Sequence, residues 1–343
     1  CWSMAPLVVT ATYWSSHITS GHGLLSRHGG HKKADPVLGT VPDENYAREI
    51  LQLFSIGLWQ LQADGEPLLN QQGEPIPAYS EQDLMQYARV FTGWDYALPS
   101  GADKWRLPML LDPNEHEDGP KRLLGGELIP ANLGGQEDLA RALDNIASHP
   151  NVAPFISRQL IQRFVTSNPS PDYIGRVTAA FENSDGNLGE TIKAVLLDQE
   201  ARTGSPDPLD AMAPAAANDD PSSPSPTSYA FGKIKEPLLQ LTGLWRALGV
   251  DVEQIRLRPE HLSPLGQVPL AAPSVFNFFQ PDFQNPGEIA DLGLYSPELE
   301  MIDETQITGA VSLMDSWTLG ATQADANYYD LTMDKPWRFQ PGQ

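Results

Sequence analysis

Apolar residues recur at helical spacing along most of this chain. Tyr46, Ile50, Leu53, Phe54 and Leu58 form one stripe behind Asp43, a good N-cap, with Gly57 placed for a left-handed C-terminal residue. A second helix is predicted from Ser80, with Asp83 three residues later giving a near-capping box and Leu84, Tyr87, Ala88 and Phe91 facing inward. Asp64-Gly65 between them signals a turn, so a small β-hairpin is expected to bridge the two helices. Further stripes are Leu139, Leu143, Ile146 and Ala147 in a helix from Gln136, and Phe155, Ile156, Leu160 and Phe164 in a helix over 152–165. Tyr173, Ile174, Val177 and Phe181 follow over 171–182, and Ile192, Val195 and Leu196 over 188–198. Beyond a Pro-, Ser-, Ala- and Asp-rich stretch, Leu238, Leu241, Leu244, Trp245 and Leu248 predict a helix over 237–248. A last helix is predicted over 297–317. No internal repeat is evident. The expected fold is mainly α, an irregular multi-helix bundle with long Pro/Gly-rich loops and one small β-hairpin.

The run from Pro42 to Trp94 resembles the signature of a bacterial family, domain of unknown function 1800 (DUF1800). The resemblance continues at Lys33-Ala34-Asp35-Pro36, His116 to Gly125, His149-Pro150 and Gly232-Lys233-Ile234-Lys235-Glu236-Pro237. It extends through Gly266-Gln267-Val268-Pro269, Pro273 to Phe279 and Ser296-Pro297-Glu298, covering about residues 32 to 320 in order. The resemblance implies a mostly helical, exported bacterial protein, periplasmic or secreted in its full-length form. It also implies a partner, a sulfatase/alkaline-phosphatase-like protein encoded nearby. The family has no agreed activity, so the resemblance assigns no catalytic residue.

Composition narrows the picture. The balance of 22 basic against 44 acidic residues, a net charge of −22, argues against nucleic acid as a partner. No stretch is long and apolar enough for a transmembrane segment. One cysteine, Cys1, precludes an internal disulfide. The 28 glycines and 31 prolines point to long loops between helices.

Five segments are expected. Residues 1–31 are atypical, disordered or frame-shifted. Residues 32–202 form a helical core carrying the family signature, 203–228 a disordered linker, 229–320 a C-terminal helical and loop segment, and 321–343 a loose tail. His17, His22, His28 and His31 crowd the first segment, but their spacing matches no usual ligand pattern. One permissible back-translation of 17–30, read one nucleotide later, is similar to what the family carries before the Lys33 segment. The start is therefore expected to be a frame-shifted remnant of a longer gene lacking the usual N-terminal region. The rival expectation makes Cys1 a lipidated first residue.

Candidate chemistry gathers in the acidic loop at 112–121. Asp112, His116 and Asp118 are candidate ligands for a divalent metal ion, since hard cations favour such oxygen donors. The alternative is a polar loop whose Asp and His cap neighbouring helices. Glu44, Glu49, His116 and His149 are candidate acid–base groups, and Arg48 and Lys121 candidates for holding an anionic substrate. The aromatic cluster Phe276, Phe278, Phe279 and Phe283 reads as a buried clamp or as a sugar- or peptide-binding face. Two functions remain open: an accessory or scaffold protein of the cell envelope, or a metal-dependent envelope hydrolase.

Overall fold

The computed structural model describes residues 32–98, 100, 107–204, 231–247, 262–269, 271–274 and 276–318. The four N-terminal histidines, the tail and all of the linker but Thr203 and Gly204 lie outside the described residues; Thr203 ends a short helix and is not part of a disordered linker. The chain divides into two compact units, Cys1–Gly232 and Lys233–Gln343.

The first unit is built from helices α1 (Asn45–Gln52), α2 (Glu81–Val90), α3 (Gly135–Ala147), α4 (Val152–Phe164), α5 (Pro171–Asn183), α6 (Leu188–Leu197) and the short α7 (Gln199–Thr203). Two antiparallel ribbons pair β1 (Trp94–Asp95) with β2 (Leu110–Leu111), and β3 (Lys121–Arg122) with β4 (Leu128–Ile129). The mainly α expectation is met.

The main core joins α1 to α4. Ile50, Leu51, Leu84, Tyr87, Ile146 and Val152 are among its buried members. Tyr46 meets Phe91 edge-on, with ring centroids 4.8 Å apart, which ties α1 to the end of α2. The capping box of α2 forms: Ser80 Oγ accepts from Asp83 N, and Asp83 Oδ2 accepts from Ser80 N. The stripe predicted for α5 is buried throughout: Tyr173, Ile174 and Val177 make a second cluster with Ile161 and Val195, while Phe181 joins the main core.

Several helix faces differ from the apolar pattern. α1 stops at Gln52, because Ser55 Oγ donates to Ile50 O and the amides of Ile56 and Gly57 both turn back to Leu51 O. Leu53 and Phe54 are therefore half-buried and Leu58 is exposed. In α3 the buried face is Gly135, Asp138, Ala142 and Ile146, with Leu139 and Leu143 packed at its edge. In α4 Ile161 takes the inward place, and Phe164 is 51% exposed. In α6 Val195 is buried but Leu196 is exposed.

The segment between α1 and α2 is more than a hairpin. Gly65-Glu66-Pro67 recurs as Gly73-Glu74-Pro75, an internal repeat that the apolar pattern does not reveal. Both turns close alike. Gln62 N donates to Glu66 O and Gly65 N to Gln62 O; Asn70 N donates to Glu74 O and Gly73 N to Asn70 O. Three short legs result, and their hydrogen bonds run in a ring. Leu68 N donates to Gln60 O, Gln60 N to Ile76 O, and Ile76 N to Leu68 O.

The second unit contains α8 (Pro237–Ala247), α9 (Glu288–Asp291) and α10 (Glu304–Thr318). Leu241, Leu262, Leu265 and Leu313 form its core. The helix predicted over 297–317 is broken. A 3₁₀ turn spans Pro297–Met301, and Asp303 then starts α10 by accepting from Gln306 N at 2.9 Å. Of the aromatic cluster, Phe279 is buried and Phe276 is 40% exposed.

Candidate functional site

A cluster of buried polar side chains, Thr92, His116, Lys121 and Asp138, lies where α2 ends. Thr92 and Gly93 follow that helix, and the β1–β2 ribbon then delivers the loop 112–121. Asp112 N donates to Gly93 O at 2.8 Å, which starts the loop. Asp112 folds its own carboxylate back, accepting from Asn114 N (2.9 Å) and Asn114 Nδ2 (3.2 Å). Glu117 N donates to Thr92 Oγ1 at 2.9 Å. These bonds turn His116 inward.

His116 Nδ1 donates to Thr92 O at 2.9 Å, and its Nε2 lies 3.1 Å from Asp138 Oδ2. Lys121 Nζ donates to the carbonyls of Glu117 and Gly119 and lies 2.5 Å from the same Asp138 oxygen. His116 and Lys121 are each 1% exposed and Asp138 2%. Asp138 Oδ1 has no hydrogen-bond partner among the described residues. Two glycines leave room for the imidazole. A Cβ on Gly93, which has φ +85°, would lie 3.0 Å from His116 Cβ and 2.8 Å from Asp112 O. A Cβ on Gly135 would come within 2.9 Å of His116 Nδ1.

The structure thus joins two residues singled out in the sequence, His116 and Lys121, through a third that was not. Asp138 carried a signal: it stands four residues before Ala142 and eight before Ile146, on the buried face of α3. A carboxylate on that face needs buried donors.

The other candidates have separate partners. Asp112 and Asp118 are exposed while His116 is buried, so the metal set Asp112, His116 and Asp118 is not gathered as ligands. Among the described residues no group of three or more His, Cys, Asp or Glu is placed to hold a metal. Lys121 is enclosed, which removes it from any soluble anionic substrate. Arg48 pairs with Glu44 at 2.7 Å and with Glu81 at 3.4 Å on the surface, an arrangement worth about 1 kcal/mol or less. Burial raises the Glu49 carboxyl above its ordinary value, and Arg48 lowers it in part.

His149 supports a clamp. Its Nδ1 accepts from Asn151 N at 3.1 Å. The buried Asn151 side chain donates to Ile56 O (2.8 Å) and Trp59 O (2.7 Å), and accepts from Leu61 N (2.9 Å). It fastens the three-legged segment to the start of α4. Burial holds the His149 imidazole below its ordinary value. The unfolded chain therefore takes up this proton first as pH falls. The stabilisation is fully present above about pH 6.5 and is lost as pH falls through the lower folded value. Thermal melting between pH 7.5 and 5 is expected to drop more steeply for the parent than for His149→Gln. Parallel curves would remove His149 from this role.

Two open clefts, each of about 520 Å³, flank Arg176. One lies between α5 and α6, beside Ala180, Lys193 and Leu197; the other adjoins Gln62, Asp64 and Asp172. Arg176 itself is held by Asp198 through two bonds of 2.8 Å. None of the site residues proposed from the sequence lines either cleft.

The family described as "Protein of unknown function (DUF1800)" matches residues 27–335. The chain belongs to this family. The DUF1800 match runs through both compact units. No curated protein and no solved structure matches the chain. Segments that carry the DUF1800 resemblance pair with one another in the second unit. Lys233 meets Glu298 at 2.6 Å, Gln267 Nε2 donates to Glu236 Oε2, and Gln267 Oε1 accepts from Leu238 N. Among the described residues no helix is long and apolar enough to cross a membrane.

Proposed function

We propose that this DUF1800 protein is an exported accessory or scaffold protein of the cell envelope, acting by binding a sulfatase/alkaline-phosphatase-like partner. One observation carries the reading. The groups best suited to acid–base work, His116, Lys121 and Asp138, are enclosed and bonded to one another and to backbone carbonyls. A general base has to reach the proton that it removes. The carboxylates Glu44 and Glu49 and the imidazole of His149 are likewise placed apart from that network, each with local surroundings of its own. The helical bundle then offers a surface, and its excess of carboxylates suits a partner with a basic face.

Co-expression of the full-length protein with the partner encoded beside it tests the proposal. A stoichiometric complex by size-exclusion chromatography with light scattering is the expected result, with the chain alone inert on phosphate and sulfate esters. Turnover by the purified chain that disappears in Glu49→Gln or His149→Gln, with an unchanged circular dichroism spectrum, would make it a hydrolase instead. Separate elution of the two proteins would also end the scaffold reading.

A further inference from the structure

We propose that the three-legged segment is a pH-sensitive strap: protonation of His149 opens the Asn151 clamp and lets the segment lift from α4 and α5 while the helices stay folded. This inference is independent of the scaffold reading. It starts from the donors and acceptors at the head of α4. Asn151 N can only donate, so the His149 Nδ1 that receives it at 3.1 Å carries no hydrogen. The clamp is therefore built for the neutral imidazole. A second proton would go to Nδ1, because Nε2 already carries the first. Two N–H groups would then face each other. A positive charge would also stand at the first turn of α4, where the unpaired amides already make the field positive.

Both effects push the ring and the Asn151 amide apart, and the ring has no loose backbone on which to retreat alone. His149 N donates to Ile146 O at 3.0 Å, and His149 O accepts from Val152 N at 3.1 Å. The displacement passes to Asn151, whose side chain holds Ile56 O, Trp59 O and Leu61 N. The rest of the seat is apolar and close: a Cβ on Gly57 would lie 2.9 Å from Phe155, and one on Gly65 would lie 3.1 Å from Ile174. The ring of bonds through Gln60, Leu68 and Ile76 closes within the segment, and none of these three residues is buried. The segment's order thus depends on its seat. Opening also changes the surface. Gln62 and Asp64 line one of the open clefts together with Asp172 and Arg176, so that cleft belongs to the clamped form.

The ionisable residues of the flanking elements make no bond to the ring. These are Asp144 in the last turn of α3, Arg158 on α4, and Asp64, Glu66 and Glu74 on the segment. Burial alone accounts for the weakened hold of the clamped ring on a proton. In the opened form the ring regains the ordinary imidazole value of 6.5. The opened form therefore binds the proton more tightly, and falling pH favours it. Between pH 7.5 and 5 the gain is at most about thirtyfold.

Hydrogen exchange of the full chain tests the proposal, read as protection factors so that the pH dependence of the exchange chemistry cancels. From pH 7.5 to 5 the amides of Gln60, Leu61, Leu68 and Ile76 are expected to lose about tenfold in protection, while Val177 and Phe181 in α5 keep theirs. In His149→Gln, which offers an acceptor that takes up no proton in this range, the loss is expected to vanish. If that variant does not fold, the parent decides: the midpoint of the loss has to coincide with the titration of the His149 ring followed by NMR. Undiminished protection at pH 5, an equal loss in His149→Gln, a midpoint away from the ring's own titration, or a parallel loss in α5 would each overturn the proposal.

Discussion

Replacing Asp138 by alanine is expected to lower the unfolding free energy by about 3–5 kcal/mol, as for breaking a buried ionic pair from one side. The carboxylate is the acceptor shared by His116 Nε2 and Lys121 Nζ, and all three side chains are excluded from solvent. Without it, either an ammonium or an imidazole N–H is left enclosed with too few acceptors, and the space is too closed for water to restore them easily. Asp138→Asn keeps the shape and one acceptor and should lose less. The double variant Lys121→Met/Asp138→Leu should recover part of the stability, because removing both partners avoids the unpaired charge. Urea unfolding of the parent and the three variants measures the order. A loss below about 1 kcal/mol for Asp138→Ala would show that the network contributes little.

This network also shows how far the sequence alone could be read. His116 and Lys121 stood out because their loop is rich in polar donors. Local spacing suggested a cation site there, but the partners come from farther along the chain: Thr92 at the end of α2 and Asp138 on α3. Periodicity assigns apolar residues to a core face and passes over a carboxylate, so the predicted stripe takes in Leu139 and Leu143, whereas the buried face contains Asp138 and Ala142. Where a local signal is complete, the reading holds. The Ser80–Asp83 box starts α2, and the α5 stripe behind Ser170 and Pro171 is buried as expected. Where a side chain competes for the backbone, periodicity fails. Ser55 takes the Ile50 carbonyl, and α1 ends before its apolar stripe does.

Asn151→Ala is expected to cost about 2–4 kcal/mol, since three backbone groups lose their partner at one buried point. The Ile56 and Trp59 carbonyls would lose their donors and the Leu61 amide its acceptor. The effect should be local as well as global. Gln60, Leu68 and Ile76 close the ring of the three-legged segment, so their amides should lose hydrogen-exchange protection before those of α5. Asn151→Asp separates the two halves of the clamp. It keeps an acceptor for Leu61 N but turns an oxygen toward the two carbonyls that now receive an amide hydrogen. Repulsion between acceptors should make it no better than alanine, although it differs from asparagine by one group. If Asn151→Asp matched the parent in urea, the amide hydrogens would not be what holds this segment to α4, and the hold would rest on apolar packing, such as Gly57 against Phe155.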